Sequence, residues 1–222
     1  MKLHHKQSKI MALILVPLSF TFICYLTLYM LISPVIDPLI SIYNLIASDY
    51  APELNNESSQ NLYKNKLVSS DVIKASQIIQ PNFGDMFGKL TIDSVNIKVN
   101  LYYGDDREQL RHGAGLFTGS FLPGFNRTIL IAGHSIPYFE PLGNIKIGDI
   151  ISISTHYGDF QYKITSTKIA DADDSSNYDL KQDKKEQLIL YTCYPFELIG
   201  YKSQRLFVYA DKISGPTIVE GQ

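Results

Sequence analysis

Residues 188–210 read LILYTCYPFELIGYKSQRLFVYA, two apolar runs joined by a loop. Because a β-strand turns successive side chains to opposite faces, each run divides into two sets. In the first run, one face carries Leu188, Leu190 and Thr192, and the other carries Ile189, Tyr191 and Cys193. In the second run, an aliphatic face carries Leu206, Val208 and Ala210, and a mixed face carries Arg205, Phe207 and Tyr209. The aliphatic face predicts that these strands share a hydrophobic core.

Pairing of these two strands predicts a cysteine beside an arginine. In an antiparallel pair, the loop 194–204 returns Arg205 next to Cys193, with both side chains on the less aliphatic face. The thiolate is the nucleophilic form of cysteine, and positive charge nearby favours it. A free cysteine can also simply be a small hydrophobic residue buried in a core, which is the common case. The pair alone leaves both interpretations open.

The N-terminal segment predicts a membrane anchor. Residues 10–32 carry no charged side chain and would form a helix of about 35 Å, enough to cross a bilayer core. A cleaved signal peptide is disfavoured, because the run is long and lacks a small-x-small cleavage site. Lysines at positions 2, 6 and 9 precede the run, and the next basic residue is Lys64. This asymmetry predicts residues 1–9 in the cytoplasm and the rest of the chain outside.

The cysteines and the net charge limit the classes of function that fit this chain. The chain has two cysteines, and Cys24 falls in the predicted membrane helix, out of reach of Cys193. Exported thiols are normally paired, so an unpaired one favours a reactive role. A net charge of −2 and the lack of a basic run in the exported part argue against nucleic-acid binding.

The exported part divides into a stalk, a compact domain and a tail. Residues 33–80 contain the polar stretch 52–61 and a weak helical pattern over 62–79, which together predict a stalk. Residues 81–214 predict the folded domain, and residues 215–222 a C-terminal tail. A domain of this size buries a core without disulfides or metals.

Short alternating runs in the folded domain predict an all-β architecture, a sandwich or barrel. Turn pairs such as Gly104-Asp105 and Pro123-Gly124 separate the runs. The sequence also predicts short helices within 106–111 and 175–181. The eight predicted strands are 88–92, 95–102, 115–118, 128–132, 150–155, 160–170, 187–192 and 205–212.

A histidine stands at the exit of one predicted strand. Residues 129–134 read ILIAGH, so His134 follows a glycine at one end of the domain, where loops carry function. His112 and His156 are its competitors. Both stand beside predicted turns, so we expect them at the solvated surface.

Three motifs follow one another along the chain, and their order resembles that of the sortases, the membrane-anchored cysteine transpeptidases of Gram-positive cell surfaces. They are AGH at 132–134, TC at 192–193 and Arg205. The family motif TLxTC corresponds here to LILYTC, and the residues TCYPF, followed by a glycine and then an arginine, look most like class D. The resemblance covers the anchor, the stalk and an eight-stranded sortase-type β-barrel.

The resemblance implies a role for each motif. Cys193 would attack the threonine carbonyl of an LPxTG-like sorting signal and form a thioacyl enzyme. His134 would be the general acid and base, and Arg205 would hold the substrate and stabilise the oxyanion. Thr192 and Tyr194 would contact the substrate. The acceptor amine would come from a lipid-linked peptidoglycan precursor or from a pilin lysine, and we expect no cofactor.

Departures from family patterns carry information too. Pilin-polymerising sortases have a lid with an Asp-Pro-aromatic motif, whereas a leucine follows Asp37-Pro38 here and Asp85-Met86-Phe87 lacks the proline. We therefore expect no lid. An acidic turn at Asp171, Asp173 and Asp174 resembles the calcium site of some sortases, but such turns are usually solvated, and we expect no metal. The rival class is a surface-anchored β-barrel binding module with an incidental cysteine.

Overall fold

The chain divides into two compact units, residues 1–40 and 41–222. The computed structural model describes residues 15–32, 36, 71–181, 185–196 and 202–219. In the first unit, helix α1 (Leu15–Ile32) is long and apolar enough to cross a membrane. The hydroxyls of Ser19, Thr21 and Thr27 donate to carbonyls three residues earlier, which satisfies these polar groups within an apolar helix. The helix agrees with the predicted anchor, whose first residues, 10–14, lie outside the described chain.

The second unit contains a closed eight-stranded barrel, which confirms the predicted all-β fold. Its strands are β2 (Met86–Ile92), β3 (Ile97–Tyr103), β4 (Ala114–Leu116), β5 (Thr128–Gly133), β6 (Ile150–Thr155), β7 (Asp159–Asp171), β8 (Gln187–Tyr194) and β9 (Gln204–Ser214). They follow one another around the barrel in the order β2-β3-β4-β5-β8-β9-β7-β6. Six neighbouring pairs are antiparallel, and two, β3–β4 and β5–β8, are parallel.

The barrel interior is filled by the side chains that the period-two pattern assigned to it. Leu188 and Leu190 on β8 and Val208 on β9 are fully buried in this core. The opposite face of β8 and β9 carries Ile189 and Phe207, which form a second cluster with Leu130 of β5. Partly buried residues of the β7–β8 connection, including Tyr178 and Leu180, pack against this cluster. The mixed face of β8 and β9 is therefore the outer face of the barrel.

Short helical segments occur where the sequence predicts them. Helix α2 (Arg107–His112) joins β3 to β4, and a 3₁₀ turn (Ser175–Asn177) lies in the β7–β8 connection. Two further irregular helical segments, Ser135–Phe139 and Glu140–Asn144, follow β5.

An additional strand pair lies outside the predicted barrel boundaries. Strand β1 (Val72–Lys74) pairs in parallel with β10 (Thr217–Val219), and Ile73 and Ile218 are buried in the barrel core. Residues 75–77 form a 3₁₀ turn. The helical pattern predicted over 62–79 is therefore wrong in its described part, because the apolar side chains there serve a strand that packs on the barrel.

A buried carboxylate fixes the start of β8. Glu186 is 2% exposed and accepts hydrogen bonds from the backbone N–H of Gly124 (3.0 Å) and Asn126 (3.0 Å) and from the hydroxyl of Tyr162 (2.6 Å). The ammonium of Lys212 lies 3.5 Å away and balances the charge. These bonds satisfy a charge that would otherwise be costly to bury.

The prediction of a surface position is wrong for His156. This side chain is 3% exposed, and its Nε2 accepts a hydrogen bond from the backbone N–H of Ile79 at 3.3 Å. Residues 78–79 cover the turn after β6, which sequence periodicity cannot show. Burial lowers the pKa of His156 below its usual value. His112 is partly exposed, as predicted, and lies 3.2 Å from Glu108.

Candidate active site

Cys193 and Arg205 are directly opposite each other in the antiparallel β8–β9 ladder, as predicted. Both belong to the outer face, since Ile189 and Phe207 on the same parity form the outer cluster. Cys193 is free and partly buried. Residues directly opposite in such a ladder have their Cβ atoms about 5 Å apart. The two side chains therefore leave the ladder from neighbouring positions.

His134 flanks Cys193 on the opposite side. Strand β5 pairs in parallel with β8, and Ala132 is opposite Tyr191, an offset of 59 residues (191 − 132). Strand β5 ends at Gly133, and His134 follows it with an extended backbone (φ −59°, ψ 140°). Continuing the same offset two residues past the last observed pair sets His134 next to Cys193, and strand alternation then turns its side chain to the face that carries Leu130. By this continued register, His134, Cys193 and Arg205 lie at the ends of three adjacent strands.

A side-chain hydrogen bond joins the two strand ends that carry His134 and Cys193. The hydroxyl of Thr192 donates to the backbone carbonyl of Gly133 at 2.8 Å. Thr192 is 2% exposed and points into the barrel. Its hydroxyl is used between strands and is not presented to solvent. Thr192 therefore links β8 to β5 at the point where both strands end.

The chain after His134 folds back tightly on the strand it leaves. The backbone N–H of Phe139 donates to the carbonyl of His134 at 3.0 Å. Gly133 permits this fold, because a Cβ at this position would lie 2.5 Å from the ring of Phe139. The Phe139 ring is fully buried. The glycine of the AGH motif thus has a packing role next to the histidine.

The surroundings of His134 favour the neutral imidazole. Burial lowers the pKa of His134, and the positive charges of Arg107 and Arg111 on α2 lower it further. A neutral imidazole accepts a proton, which is what a thiol needs in order to become a nucleophile.

Arg205 is held by its own loop. Its Nη1 donates to the backbone carbonyls of Lys202 (2.8 Å) and Gln204 (3.0 Å). Burial and Asp105 raise the pKa of Tyr191, two residues before Cys193, and the positive charge of Arg205 opposes that rise. A guanidinium carries five donors in a rigid plane, so fixing one nitrogen orients the others.

Aromatic side chains follow Cys193. Tyr194 and Phe196 meet edge to face, with ring centroids 5.4 Å apart, and both pack against the core. A Cβ at Gly143 would lie 2.7 Å from the Phe196 ring. The loop after Cys193 therefore contacts the segment that follows His134.

Sequence reasoning missed one polar pair at this site. The hydroxyl of Tyr191 donates to Oδ2 of Asp105 at 3.1 Å, across 86 residues of sequence. Sequence reasoning also missed Arg107 and Arg111, whose positive charges lower the pKa of His134. Period-two analysis puts Tyr191 on the outer face, but no local signal connects it to a turn after β3.

The acidic turn is organised by local hydrogen bonds. Asp174 accepts a hydrogen bond from the backbone N–H of Ser176 at 3.0 Å and caps the 3₁₀ turn. Within the described ranges, no group of three His, Cys, Asp or Glu side chains stands close enough to hold a metal ion.

Comparisons with known proteins show which family the chain resembles. The sortase domain family model matches residues 90–213. Sortase D of Bacillus subtilis (strain 168) is 35% identical over 146 residues, which cover 66% of this chain and 73% of that protein. A sortase D5 transpeptidase of Clostridium perfringens has a similar fold, with a TM-score of 0.54 at 22% identity over 61% of this chain and 83% of that one. Sortase C of Clostridium perfringens SM101 gives a TM-score of 0.54 at 26% identity, over 76% of this chain and 98% of that one. The chain belongs to the sortase family and is a sortase transpeptidase.

Proposed function

We propose that this enzyme cleaves an LPxTG-like sorting signal through a thioacyl intermediate on Cys193 and transfers the protein to an amine of a peptidoglycan precursor. The observation that supports the proposal is the register of three adjacent strands: Cys193 is opposite Arg205, and the β5–β8 register, continued two residues past the Ala132–Tyr191 pair, sets His134 next to Cys193. The 35% identity to Sortase D supports a class D type of enzyme.

In the first step, Cys193 becomes acylated. The neutral imidazole of His134 takes the thiol proton, and Sγ attacks the threonine carbonyl of the sorting signal. The resulting imidazolium then gives its proton to the leaving amine as the amide C–N bond breaks. The products are a thioester on Cys193 and a free C-terminal peptide, and His134 is neutral again.

In the second step, an acceptor amine replaces the thiol. His134 takes a proton from the incoming amine as its nitrogen attacks the thioester carbonyl. The C–S bond breaks, and the thiolate of Cys193 recovers the proton. A new amide bond forms. Each turnover therefore breaks one amide bond and makes one, and the reaction needs no cofactor.

Arg205 is assigned to the oxyanion that forms in both steps. Nη1 is held by two backbone carbonyls, which leaves the other nitrogens of the fork for the substrate. Tyr194 borders the thiol and is assigned to substrate contact. For Thr192 we replace substrate contact by positioning, because its hydroxyl already donates to Gly133.

The membrane arrangement is also part of the proposal. Helix α1 would anchor the chain with residues 1–9 in the cytoplasm, on the basis of the lysines before it. We place the start of the catalytic domain near residue 71, because β1 pairs with β10, and we leave residues 33–70 as the stalk. A membrane-impermeant maleimide should then label Cys193 in intact protoplasts of an expression host, and failure to label it until the cells are lysed would contradict this orientation.

The test of the activity uses full-length enzyme in detergent and a fluorogenic LPxTG-like peptide. Two acceptors are supplied separately: a peptidoglycan stem peptide with a free side-chain amine, and a lysine-containing peptide of pilin type. Mass spectrometry of the products identifies the acceptor. The control is Cys193→Ala, which should make neither product.

Each outcome bears on a different part of the proposal. Transfer to the stem peptide supports it. Transfer to the pilin-type lysine alone would replace the assigned acceptor and favour a pilin-polymerising enzyme. Binding of the peptide without cleavage would favour the binding-module alternative for this substrate class.

A further inference from the structure

The short helix α2 is hydrogen-bonded at both ends to the segments that carry the thiol and the imidazole. Before the helix, Asp105 accepts from the hydroxyl of Tyr191, which precedes Cys193 by two residues. At the end of the helix, the carbonyl of Arg111 accepts from the hydroxyl of Tyr138 at 2.8 Å. Tyr138 follows His134 by four residues. Helix α2 thus bridges the strand of the thiol and the segment of the imidazole.

Two glycines let the turn before α2 lie directly on the barrel. A Cβ at Gly115 on β4 would lie 2.4 Å from the carbonyl oxygen of Gly104 and 2.8 Å from Cα of Asp105. Gly104 itself has a φ of +111°, which favours glycine. Its N–H donates to the carbonyl of Leu116 at 2.9 Å. The close approach over β4 brings Asp105 across to Tyr191 on β8.

The Tyr191–Asp105 hydrogen bond has well-defined geometry and chemistry. The Tyr191 ring stacks on Phe207, with centroids 5.9 Å apart and an interplanar angle of 21°. Burial raises the pKa of Tyr191, and the Asp105 carboxylate raises it further, so the phenol remains a donor. Burial likewise raises the pKa of Asp105, against the opposing effect of the bond from Tyr191.

Helix α2 depends on these contacts for its position. It has six residues, less than two turns, and a helix of that length is not stable alone. The groups that act on His134 are Arg107 and Arg111 on this helix, with Cys193 beside it on β8 by register. Burial raises the pKa of Tyr138, and Tyr102 on β3 raises it further. A shift of α2 would therefore change the charge and the solvation around the imidazole.

We propose that Tyr191 and Asp105 are positioning residues of the sortase reaction, whose hydrogen bond, together with that from Tyr138 to the carbonyl of Arg111, clamps α2 between the strand of Cys193 and the segment that follows His134. The inference rests on the proposed function, because it assumes the acid and base role of His134. Neither residue touches the reacting atoms. Their effect passes through α2 to His134.

The test combines three substitutions in the full-length enzyme. Tyr191→Phe removes only the hydroxyl and keeps the ring on Phe207. Asp105→Ala removes the acceptor, whereas Asp105→Asn keeps an oxygen that accepts. The matched control is Tyr157→Phe, which also removes one tyrosine donor to a carbonyl (Pro123, 3.1 Å) but lies outside the site.

Two measurements read the result. NMR titration of the His134 ring in the resting enzyme, assigned with His134→Ala, gives its pKa without turnover. The rate constant kcat/KM on the sorting-signal peptide gives the functional effect. A melting curve for each variant identifies loss of folding.

We expect Tyr191→Phe and Asp105→Ala to raise the pKa of His134 by roughly half a unit, because the positive charges and the desolvation both relax. We expect kcat/KM to fall by up to roughly threefold on the acid side of the profile, where a half-unit rise converts neutral imidazole to imidazolium, and by less near neutral pH. Asp105→Asn and Tyr157→Phe should leave the titration unchanged. An unchanged His134 titration in folded Tyr191→Phe and folded Asp105→Ala would overturn the clamp. If the titration moves as expected but the wild-type enzyme does not cleave the peptide, the clamp stands and the proposed function fails.

Discussion

The hydroxyl of Thr192 donates to the carbonyl of Gly133 at 2.8 Å, and each of these residues immediately precedes a group of the active site. Thr192 precedes Cys193 and Gly133 precedes His134, so one hydrogen bond holds the ends of two parallel strands together. The bond lies on the inner side of the barrel, where Thr192 is 2% exposed. The thiol and the imidazole lie on the outer side. A buried hydrogen bond inside the barrel therefore holds together the two strand ends that carry the reactive groups.

Replacing Thr192 tests this link. Thr192→Val keeps the shape but leaves the Gly133 carbonyl without its donor, so we expect the free energy of unfolding to fall by about 1–3 kcal/mol. We also expect kcat/KM to fall, because His134 and Cys193 lose their common support. Thr192→Ser keeps the hydroxyl and serves as the control. Urea unfolding and peptide cleavage measure the two effects, and equal activity of the valine and serine variants would argue against a positioning role.

The pH profile tests the electrostatics of His134. Burial and the charges of Arg107 and Arg111 hold its pKa below the usual value of about 6.5. The neutral imidazole is the form that accepts the thiol proton, so activity should be lost as the pH falls through that lowered pKa. The acid limb of kcat/KM should lie below pH 6.5. His134→Ala should lose a factor of roughly 10² to 10⁴, and His112→Ala little. An acid limb above pH 6.5, or a large loss at His112, would contradict this assignment.

His156 predicts a dependence of stability on pH. Its pKa is lowered by burial, so the unfolded chain binds the proton more readily than the folded one. The free energy of unfolding should therefore decrease as the pH falls from about 6.5 towards the lowered pKa of the folded state. Protonation of Nε2 also removes the acceptor for the N–H of Ile79.

His156→Gln isolates this effect, because the amide oxygen accepts a hydrogen bond but does not titrate. We expect the variant to lose less stability than the wild type between pH 7.5 and pH 5, with cleavage at pH 7.5 unchanged. Any contribution of His134 is common to both proteins and cancels in the comparison. The same pH dependence in both proteins would exclude His156 as its source.

Substitution of Arg205 separates charge from hydrogen bonding. The backbone carbonyls of Lys202 and Gln204 hold one nitrogen of the guanidinium, which orients the rest of a planar fork. A lysine keeps the charge and loses the fork. We expect Arg205→Lys to be almost as damaging as Arg205→Ala in kcat/KM, by about 2–4 kcal/mol of transition-state stabilisation. The Cys193 alkylation rate controls for thiol reactivity. Near-full activity of Arg205→Lys would reduce the residue to a point charge.

The sequence predicted the parts of this protein that depend on local pattern. All eight barrel strands follow from period-two alternation and turn residues, and the Cys193–Arg205 pair follows from one antiparallel hairpin. The core assignment of Leu188, Leu190 and Val208 has the same origin. Alternation reports a side chain's face without knowledge of its partners.

The rest depends on contacts between distant parts of the chain. The parallel pairing of β5 with β8 has no signal in either strand, although this pairing brings the ends of the strands before His134 and Cys193 together. The β1–β10 pair joins two segments that flank the barrel and whose composition is that of a stalk and a tail. Tyr191 and Asp105 are 86 residues apart, and His156 is buried by a segment 77 residues earlier. Only the three-dimensional structure brings these residues together.

Intact-mass analysis of the acyl-enzyme tests the central claim most directly. Full-length enzyme is mixed with an LPxTG-like peptide without an acceptor amine, quenched in acid, and digested to locate the modified residue. We predict a mass increase equal to the acyl part of the peptide, located on Cys193 and removed by hydroxylamine, as a thioester requires. The adduct should form in Cys24→Ala and be absent in Cys193→Ala. Cleavage of the peptide without an adduct on Cys193, or with an adduct that persists in Cys193→Ala, would contradict the account.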